Sequence, residues 1–411
     1  MHKNKTQVYT ERRQGGMKVY TDVINKIGDD NYSKMVNLRH KFHMYPERGY
    51  EEFKTAKSIS DELENLGIDY KANVAKTGVV GLIKGNHPGK TVLLRADMDA
   101  LPINEEADVE YKSRVENCMH ACGHDGHMAG VLGAAMILND MKNEIHGNVK
   151  LIFQPAEEEQ GGAKPMIDEG VMENPKVDAA FGCHLWGGML EGEVHVRKGP
   201  MMAAPDMFRI KIKGKGGHGA VPHLTIDPIV IASQVINNIQ AIVSRRISPL
   251  ESAVISFGSI QGGKSHNVIP NDVELVGTVR TFSEENRKFI PKAMENILKA
   301  VTESQGASYE FEYEEKYPAL INDEKMTDIA KNSFKKIVGE ENVVDMKEPT
   351  MGAEDFAYFG QLVPASFMFV GISKDKDNLV VHHHPKFKWD DKNILTIAKG
   401  LAQTAIDYLK G

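Results

Sequence analysis

Hydrophobic positions change their period several times along this chain. From Ser33 to Gly67 they recur at helical spacing. Met35, Leu38, Phe42 and Met44 mark one helix, Ala56, Ile59, Leu63 and Leu66 a second, and Gly67 is placed to cap it. Short apolar runs bounded by Gly and Pro follow. Val79–Ile83, Val92–Leu94, Val149–Phe153 and Ala179–Phe181 read as buried strands, with a long helix over Met128–Met141 between the second and third. Strands alternating with helices predict an α/β domain with a mostly parallel sheet.

Near Pro200 the pattern becomes a strict alternation. Phe208, Ile210 and Ile212 alternate with charged residues, as on a half-exposed strand. A helix is predicted over Pro228–Arg245, alternating runs at Ala253–Ile260 and Val273–Val279, a helix over Glu284–Thr302 and a last alternating run at Tyr309–Tyr313. That order matches the ferredoxin-like split unit. It predicts a small domain over 203–315 inserted into a larger one formed by 17–202 and 316–411. After Pro318 the α/β character returns, with a helix over Met326–Val338, a buried strand at Ser366–Val370 and a closing helix over Ile394–Leu409. Residues 1–16 are polar and are expected to form a disordered extension.

Composition narrows the function classes. The 411 residues exceed one core, and 41% apolar with 26% charged is ordinary for a globular chain. A net charge of −7 offers no broad field for phosphates, so nucleic acid is not an expected partner. No apolar run approaches the roughly 20 residues of a membrane span. The polar start lacks the apolar segment of a secretory signal, and Cys118, Cys122 and Cys183 do not make a disulfide framework. A cytoplasmic protein is expected.

Chemistry concentrates in four segments. His120-Ala-Cys122-Gly-His124-Asp125-Gly-His127 places three imidazoles, a thiol and a carboxylate within eight residues. In an extended loop, Cys122-Gly-His124 turns a thiolate and an imidazole toward one ion, donors suited to zinc or a similar transition metal. Helix capping or surface placement accounts for the other histidines. Gln154-Pro-Ala-Glu157-Glu158-Glu159 follows the strand Val149–Phe153, where sites form in open α/β sheets. Taken alone, a solvated acidic helix start explains it better. Adjacent carboxylates also divide labour, however, one coordinating metal while the other accepts a proton. His184-Leu-Trp186 follows the next predicted strand, and His382-His383-His384-Pro385 is a three-histidine run. Each has an ordinary structural reading; several beside strand ends or turns of one α/β domain favour a common metal site. The Gly214-Lys-Gly216-Gly217-His218-Gly219 segment lacks the Lys-Ser/Thr of a phosphate loop, so nucleotide binding is not expected.

These segments resemble the co-catalytic metallopeptidase family of aminoacylases and carboxypeptidases, within it the branch of hippurate hydrolases, N-acyl-amino-acid amidohydrolases and auxin-conjugate hydrolases. The similar stretches are LRADMDALPINE (94–105), MHACGHDGHMA (119–129), IFQPAEEEQGGA (152–163), CHLWGG (183–188), GKGGHGAVPH (214–223), SHNVIP (265–270), GTVRTF (277–282), MGAEDFAYF (351–359) and HHHPKF (382–387). They run in the family's order from Arg39 onward. The resemblance implies an α/β catalytic domain with a mixed, mostly parallel sheet flanked by helices, and an inserted ferredoxin-like α+β domain serving as lid and dimerisation module.

The resemblance also implies roles. Two divalent ions per subunit (manganese, zinc, cobalt or nickel) would be bridged by Cys122, with His124 and Glu158 completing one site and His184 and His383 the other. His383 is preferred to its neighbours because the branch places its ligand two residues before the proline. Glu157 is implied as general base and Asp99 as an assisting carboxylate. His218 is implied as an oxyanion donor supplied by the partner subunit of a homodimer or tetramer, and Asn267 and Arg280 as contacts of the substrate carboxylate. Many relatives carry His-x-Asp where this chain has Asp97-Met98-Asp99, which moves the ligand role to Cys122 and His124 and leaves the target of Asp99 open. The implied activity is hydrolysis of the amide bond of N-acyl amino acids. A metallo-carboxypeptidase or dipeptidase acting on short peptides is the alternative, and a catalytically silent binding relative is a reading of another class. A zinc nucleobase deaminase would need a Pro-Cys-x-x-Cys that the chain lacks. A cysteine hydrolase using Cys122 and His124 stays open.

Overall fold

The computed structural model of the protein describes residues 16–158 and 160–411. The expected extension therefore lies outside the described residues except for Gly16, which opens a helix, Gly16–Asp30. Two compact units are present. The larger runs to Gly199 and takes in Asn322–Lys347 and Phe359–Gly411.

Its sheet has eight strands in the spatial order Asp69–Val74, Gly78–Lys84, His146–Gln154, His87–Asp97, Ala179–Leu190, Ala365–Ser373, Val194–Val196, Val343–Asp345. The four strands from His146–Gln154 to Ala365–Ser373 are mutually parallel, and antiparallel pairs lie outside them. The sheet is thus mixed with a parallel centre. The central strands are buried on both faces, so they read as continuous apolar runs. The flanking strands give weaker signals. Asp69–Val74 is largely exposed, and Val194–Val196 and Val343–Asp345 are three residues each.

The helix predicted over Met128–Met141 starts earlier, at His124, and ends at Asp140. It is buried on every side from His124 to Leu138, which is why it shows little amphipathic pattern. It packs against Tyr32–Met44 and the closing helix Asn393–Lys410. Glycines permit this close approach. A β-carbon at Gly130 would lie 2.5 Å from Ile397 Cγ2, and one at Gly133 2.4 Å from Met35 Sδ.

The smaller unit comprises Pro200–Ile321 and Glu348–Tyr358. It is wider than the 203–315 read from the pattern. The added segment attaches by backbone hydrogen bonds, Thr350 N–H to Met201 O at 3.0 Å and Ala203 N–H to Gly352 O at 2.9 Å. These contacts leave no periodic signal in the sequence. Four antiparallel strands follow the spatial order Ala253–Gln261, Asp272–Thr281, Ala204–Lys213, Ser308–Glu314. Numbered along the chain, that is 2-3-1-4, the ferredoxin-like arrangement. The helices Pro228–Arg246 and Glu284–Ser304 pack on each other and on the sheet's apolar face. Among the described residues no helix is long and apolar enough to cross a membrane.

The tight helix contacts carry a prediction. Gly130→Val should lower unfolding stability by about 2 kcal/mol through overpacking against Ile397, measured by denaturant unfolding.

Candidate functional site

The larger unit gathers its polar side chains where its parallel strands end at different heights. The ladder between His87–Asp97 and Ala179–Leu190 stops at Arg95 and Gly182, so Asp97 and His184 stand two residues past its last pair. His184 does not follow a strand that ends at Phe181. Its strand continues to Leu190, paired with Ala365–Ser373. Nor do Glu157 and Glu158 begin a helix: they occupy a turn after His146–Gln154, and the next helix is Ala163–Asp168. Cys122 and His124 converge by a different route from the extended loop expected. Gly123 takes a left-handed conformation, φ 95°, and the helix starts at His124. Glycine adopts this backbone without steric cost.

Distances draw these residues into one cluster. Cys122 Sγ lies 3.4 Å from His184 Nε2. His383 Nε2 lies 3.2 Å from Glu158 Oε1, and His124 Nε2 lies 3.8 Å from the same oxygen. Donor atoms of Cys122, His124 and His184 fall within 4.8 Å of one another; so do those of Cys122, Glu158 and His383, and those of His124, Glu157 and Glu158. All five expected ligands and Glu157 are therefore together. Of the expected pairs, His124 does lie with Glu158, whereas His184 is grouped with Cys122 and His124 and His383 with Cys122 and Glu158. His184 meets the thiol on the His124 side, while His383, on a backbone with φ 58°, faces Glu158.

The imidazoles are oriented from behind. His124 Nδ1 donates to Asp99 O at 2.8 Å and His184 Nδ1 to Leu185 O at 2.6 Å. Carbonyls only accept, so each Nδ1 carries a proton, and each Nε2 is turned toward the cluster. His124 Nε2 is buried without a hydrogen-bond partner, an orphan that costs about 1–3 kcal/mol. A divalent cation would satisfy it, and thiolate, imidazole and carboxylate donors suit such an ion. Burial first, then Glu158 and Glu157, hold the Cys122 thiol well above its ordinary 9. A bare thiol there stays protonated and is a poor nucleophile, which weighs against a cysteine hydrolase. A bound cation would invert that preference.

Several residues at the site have roles that the sequence did not assign. His127 Nδ1 donates to Asp97 Oδ1 at 2.6 Å, and its Nε2 accepts from Leu185 N–H at 2.9 Å. Both ring nitrogens are used. Arg95 Nη1 donates to the other Asp97 oxygen at 2.8 Å, so this aspartate serves as support. His382 accepts from Gly187 N–H at 2.8 Å and turns Nδ1 toward Cys122 Sγ at 3.8 Å. Asp99, whose target was open, touches both sides of the cluster: its carbonyl holds His124, and its Oδ2 accepts from Glu158 N–H at 3.0 Å.

The other expected residues lie in the smaller unit. His218 is exposed on a two-residue strand paired with Val268–Ile269. Asn267 adjoins it, accepting from Gly219 N–H at 2.8 Å through its carbonyl. Arg280 is half-buried on Asp272–Thr281, where its guanidinium donates to Thr278 Oγ1 and Val279 O.

Comparison with known proteins agrees with this constellation. The model of peptidase family M20/M25/M40 matches residues 93–407. The chain belongs to that family. It is 45% identical to the N-acyl-L-amino acid amidohydrolase of Geobacillus stearothermophilus over 300 residues, 73% of this chain and 80% of that protein. It is 42% identical to thermostable carboxypeptidase 1 of Saccharolobus solfataricus, covering 88% of this chain and 92% of that one. The crystal structure of the YXEP protein of Bacillus subtilis, a dinuclear metal-binding peptidase of the M20 family, superposes with a TM-score of 0.81 at 34% identity, covering 93% and 99% of the two chains. The protein is thus an M20 hydrolase, an enzyme of the amidohydrolase and peptidase group.

Two buried anchors support the M20 cluster. Asp125, in the first turn of the His124 helix, accepts from Arg39 Nε and His43 Nδ1, each at 2.9 Å. Arg39 also reaches Asp391 at 2.5 Å and stacks on Trp389. This ties the start of the helix to the chain that follows His383. Glu52, 0% exposed, accepts from Ala156 N–H at 2.9 Å and from the Thr77 hydroxyl at 2.6 Å. Burial raises its pKa from 4.5 to about 7, against the pull of the Thr77 hydrogen bond. The folded chain then keeps a proton that the unfolded chain loses, so this group's contribution to stability falls as pH rises from 4.5 to 7 and is constant above. Glu52→Gln removes the titration while keeping a donor and an acceptor. Its stability relative to the native protein should grow by up to about 3 kcal/mol between pH 4.5 and pH 8, read by denaturant unfolding at each pH.

Proposed function

We propose that this M20 enzyme hydrolyses the amide bond of N-acyl amino acids, with Cys122, His124, Glu158, His184 and His383 holding two divalent ions and Glu157 as general base. The observation that carries the reading is the orphaned Nε2 of His124, set among a thiol and carboxylates with Glu157 in the same cluster. In this reading Cys122, His124 and His184 would hold one ion and Cys122, Glu158 and His383 the other. Manganese, zinc, cobalt and nickel all suit this donor mix. The bound ions would supply Lewis acidity toward the amide carbonyl and an acidified water.

The chain's own groups do the rest. Glu157, 7% exposed, takes the proton of the attacking water and delivers it to the amide nitrogen as the C–N bond breaks. The products are a carboxylate and an ammonium, the second water proton passing from the new carboxylic acid to the amine. Asp99 keeps His124 and Glu158 in register through the hydrogen bonds already described. We assign His218, supplied by the partner subunit of a homodimer or tetramer formed through the ferredoxin-like lid, to the developing oxyanion. Asn267 and Arg280 take the substrate carboxylate. Arg280 suits an anion because no acidic partner pairs with its guanidinium among the described residues, and the nearby Asp206 is engaged by Arg287 at 2.6 Å.

Glu157→Ala should abolish turnover of N-acetyl and N-benzoyl amino acids while metal content, read by plasma emission spectroscopy, stays at the native level. Native turnover in that variant would refute the base assignment, and faster cleavage of dipeptides than of N-acyl amino acids by the native enzyme would refute the substrate class.

A further inference from the structure

We propose that Glu52 is a positioning residue for Glu157: it holds the backbone turn that aims the general base. This inference rests on the role of Glu157 given above. Ala156, immediately before the base, has φ 52°. A non-glycine residue held there is strained and persists only where its surroundings enforce it. Several contacts do so. Ala156 N–H ends on Glu52 Oε1 at 2.9 Å, and Glu52 is fixed through its other oxygen by Thr77. Gly161 N–H donates to Ala156 O at 2.8 Å. Gly49 lies against the turn, where a β-carbon would sit 3.0 Å from Ala156 Cβ and 3.1 Å from its Cα.

The arrangement is two-sided. The amide of residue 156 ends on Glu52, and that of residue 158 ends on Asp99 Oδ2 at 3.0 Å. Two buried carboxylates thus hold the peptide groups on either side of Glu157. Without Glu52, Ala156 N–H would be buried and unpaired, and the turn would be free to relax toward negative φ. That relaxation rotates the next peptide and swings the Glu157 side chain. Glu52 itself is buried, with its two oxygens on Thr77 and Ala156. Its effect passes through backbone geometry, where a displacement near 1 Å costs about a hundredfold in rate.

The test compares Glu52→Ala, Glu52→Gln, Thr77→Val and Gly49→Ala in the metal-reconstituted enzyme, with kcat, KM and metal content measured on one N-acyl amino acid. Hydrogen exchange of the Ala156 amide is followed in the metal-free protein. Glu52→Ala should lower kcat by about ten- to a hundredfold with KM and metal content unchanged, and should lose protection of that amide. Glu52→Gln should restore both, because its amide accepts from Ala156 N–H and donates to Thr77. Thr77→Val, which keeps the packing, and Gly49→Ala, which crowds the turn, should give smaller losses in kcat alone. Native kcat in Glu52→Ala, equal impairment in Glu52→Gln, or a kcat loss that tracks metal loss would each overturn the proposal. If Glu52→Ala does not fold, native kcat in both Thr77→Val and Gly49→Ala would overturn it. An inactive Glu157→Ala beside an unaffected Glu52→Ala sinks this inference alone, whereas an active Glu157→Ala sinks the base assignment beneath it.

Discussion

Buried negative charge is the constraint around which the larger unit is built. Asp97, Asp99, Asp125 and Glu157 lie within the fold, Glu158 lies close to them, and Cys122 adds a thiol. Charges removed from water must be paired or they destabilise the fold. The protein answers residue by residue. Asp97 has Arg95 and His127, and Asp125 has Arg39 and His43. Asp99 has the amide of Glu158 and lies 3.3 Å from His124 Nδ1. What is left over, the outward-facing imidazole nitrogens together with Cys122 and Glu158, is the part that suits divalent cations.

Topology explains why the leftover groups meet. A parallel sheet brings the carboxyl ends of its strands to one edge, where sites form in open α/β folds. His87–Asp97 and His146–Gln154 contribute the acids. The longer Ala179–Leu190 carries His184 beyond its neighbour's last pair, and the fully buried helix brings its first residue, His124, to the same place. Arg39 then binds the start of that helix to Asp391, so two distant parts of the chain share one buried cation.

Much of this was legible in the sequence because the elements at the centre obey a period. The parallel strands read as apolar runs, and the smaller unit's strands alternate, as the buried and exposed positions of Ala204–Lys213 show. The gathered donor residues were legible as residue types at strand ends and as a family resemblance. What escaped had no periodic signature. Asp69–Val74 is an exposed edge, and Glu348–Tyr358 joins the smaller unit through backbone hydrogen bonds. The start of the central helix was hidden because its first turn, His124 to His127, is polar yet buried. The supporting residues Glu52 and Arg39 were invisible because a lone charged residue on a helix looks solvated until its partner, tens or hundreds of residues away, is known, and His127, though quoted in the densest segment, had no visible role until Asp97 was placed beside it. Spacing says which donors exist, and only the fold says which face each other: Cys122 lies with His124 and His184 and also with Glu158 and His383, while His124 lies with Glu158 as well.

Anomalous scattering from crystals of the manganese- or zinc-loaded enzyme tests the central claim most directly. The account predicts two peaks per chain with Cys122 Sγ between them, one peak beside His124 and His184 and the other beside Glu158 and His383. A single peak, or two peaks that leave Cys122 outside both coordination spheres, would contradict it.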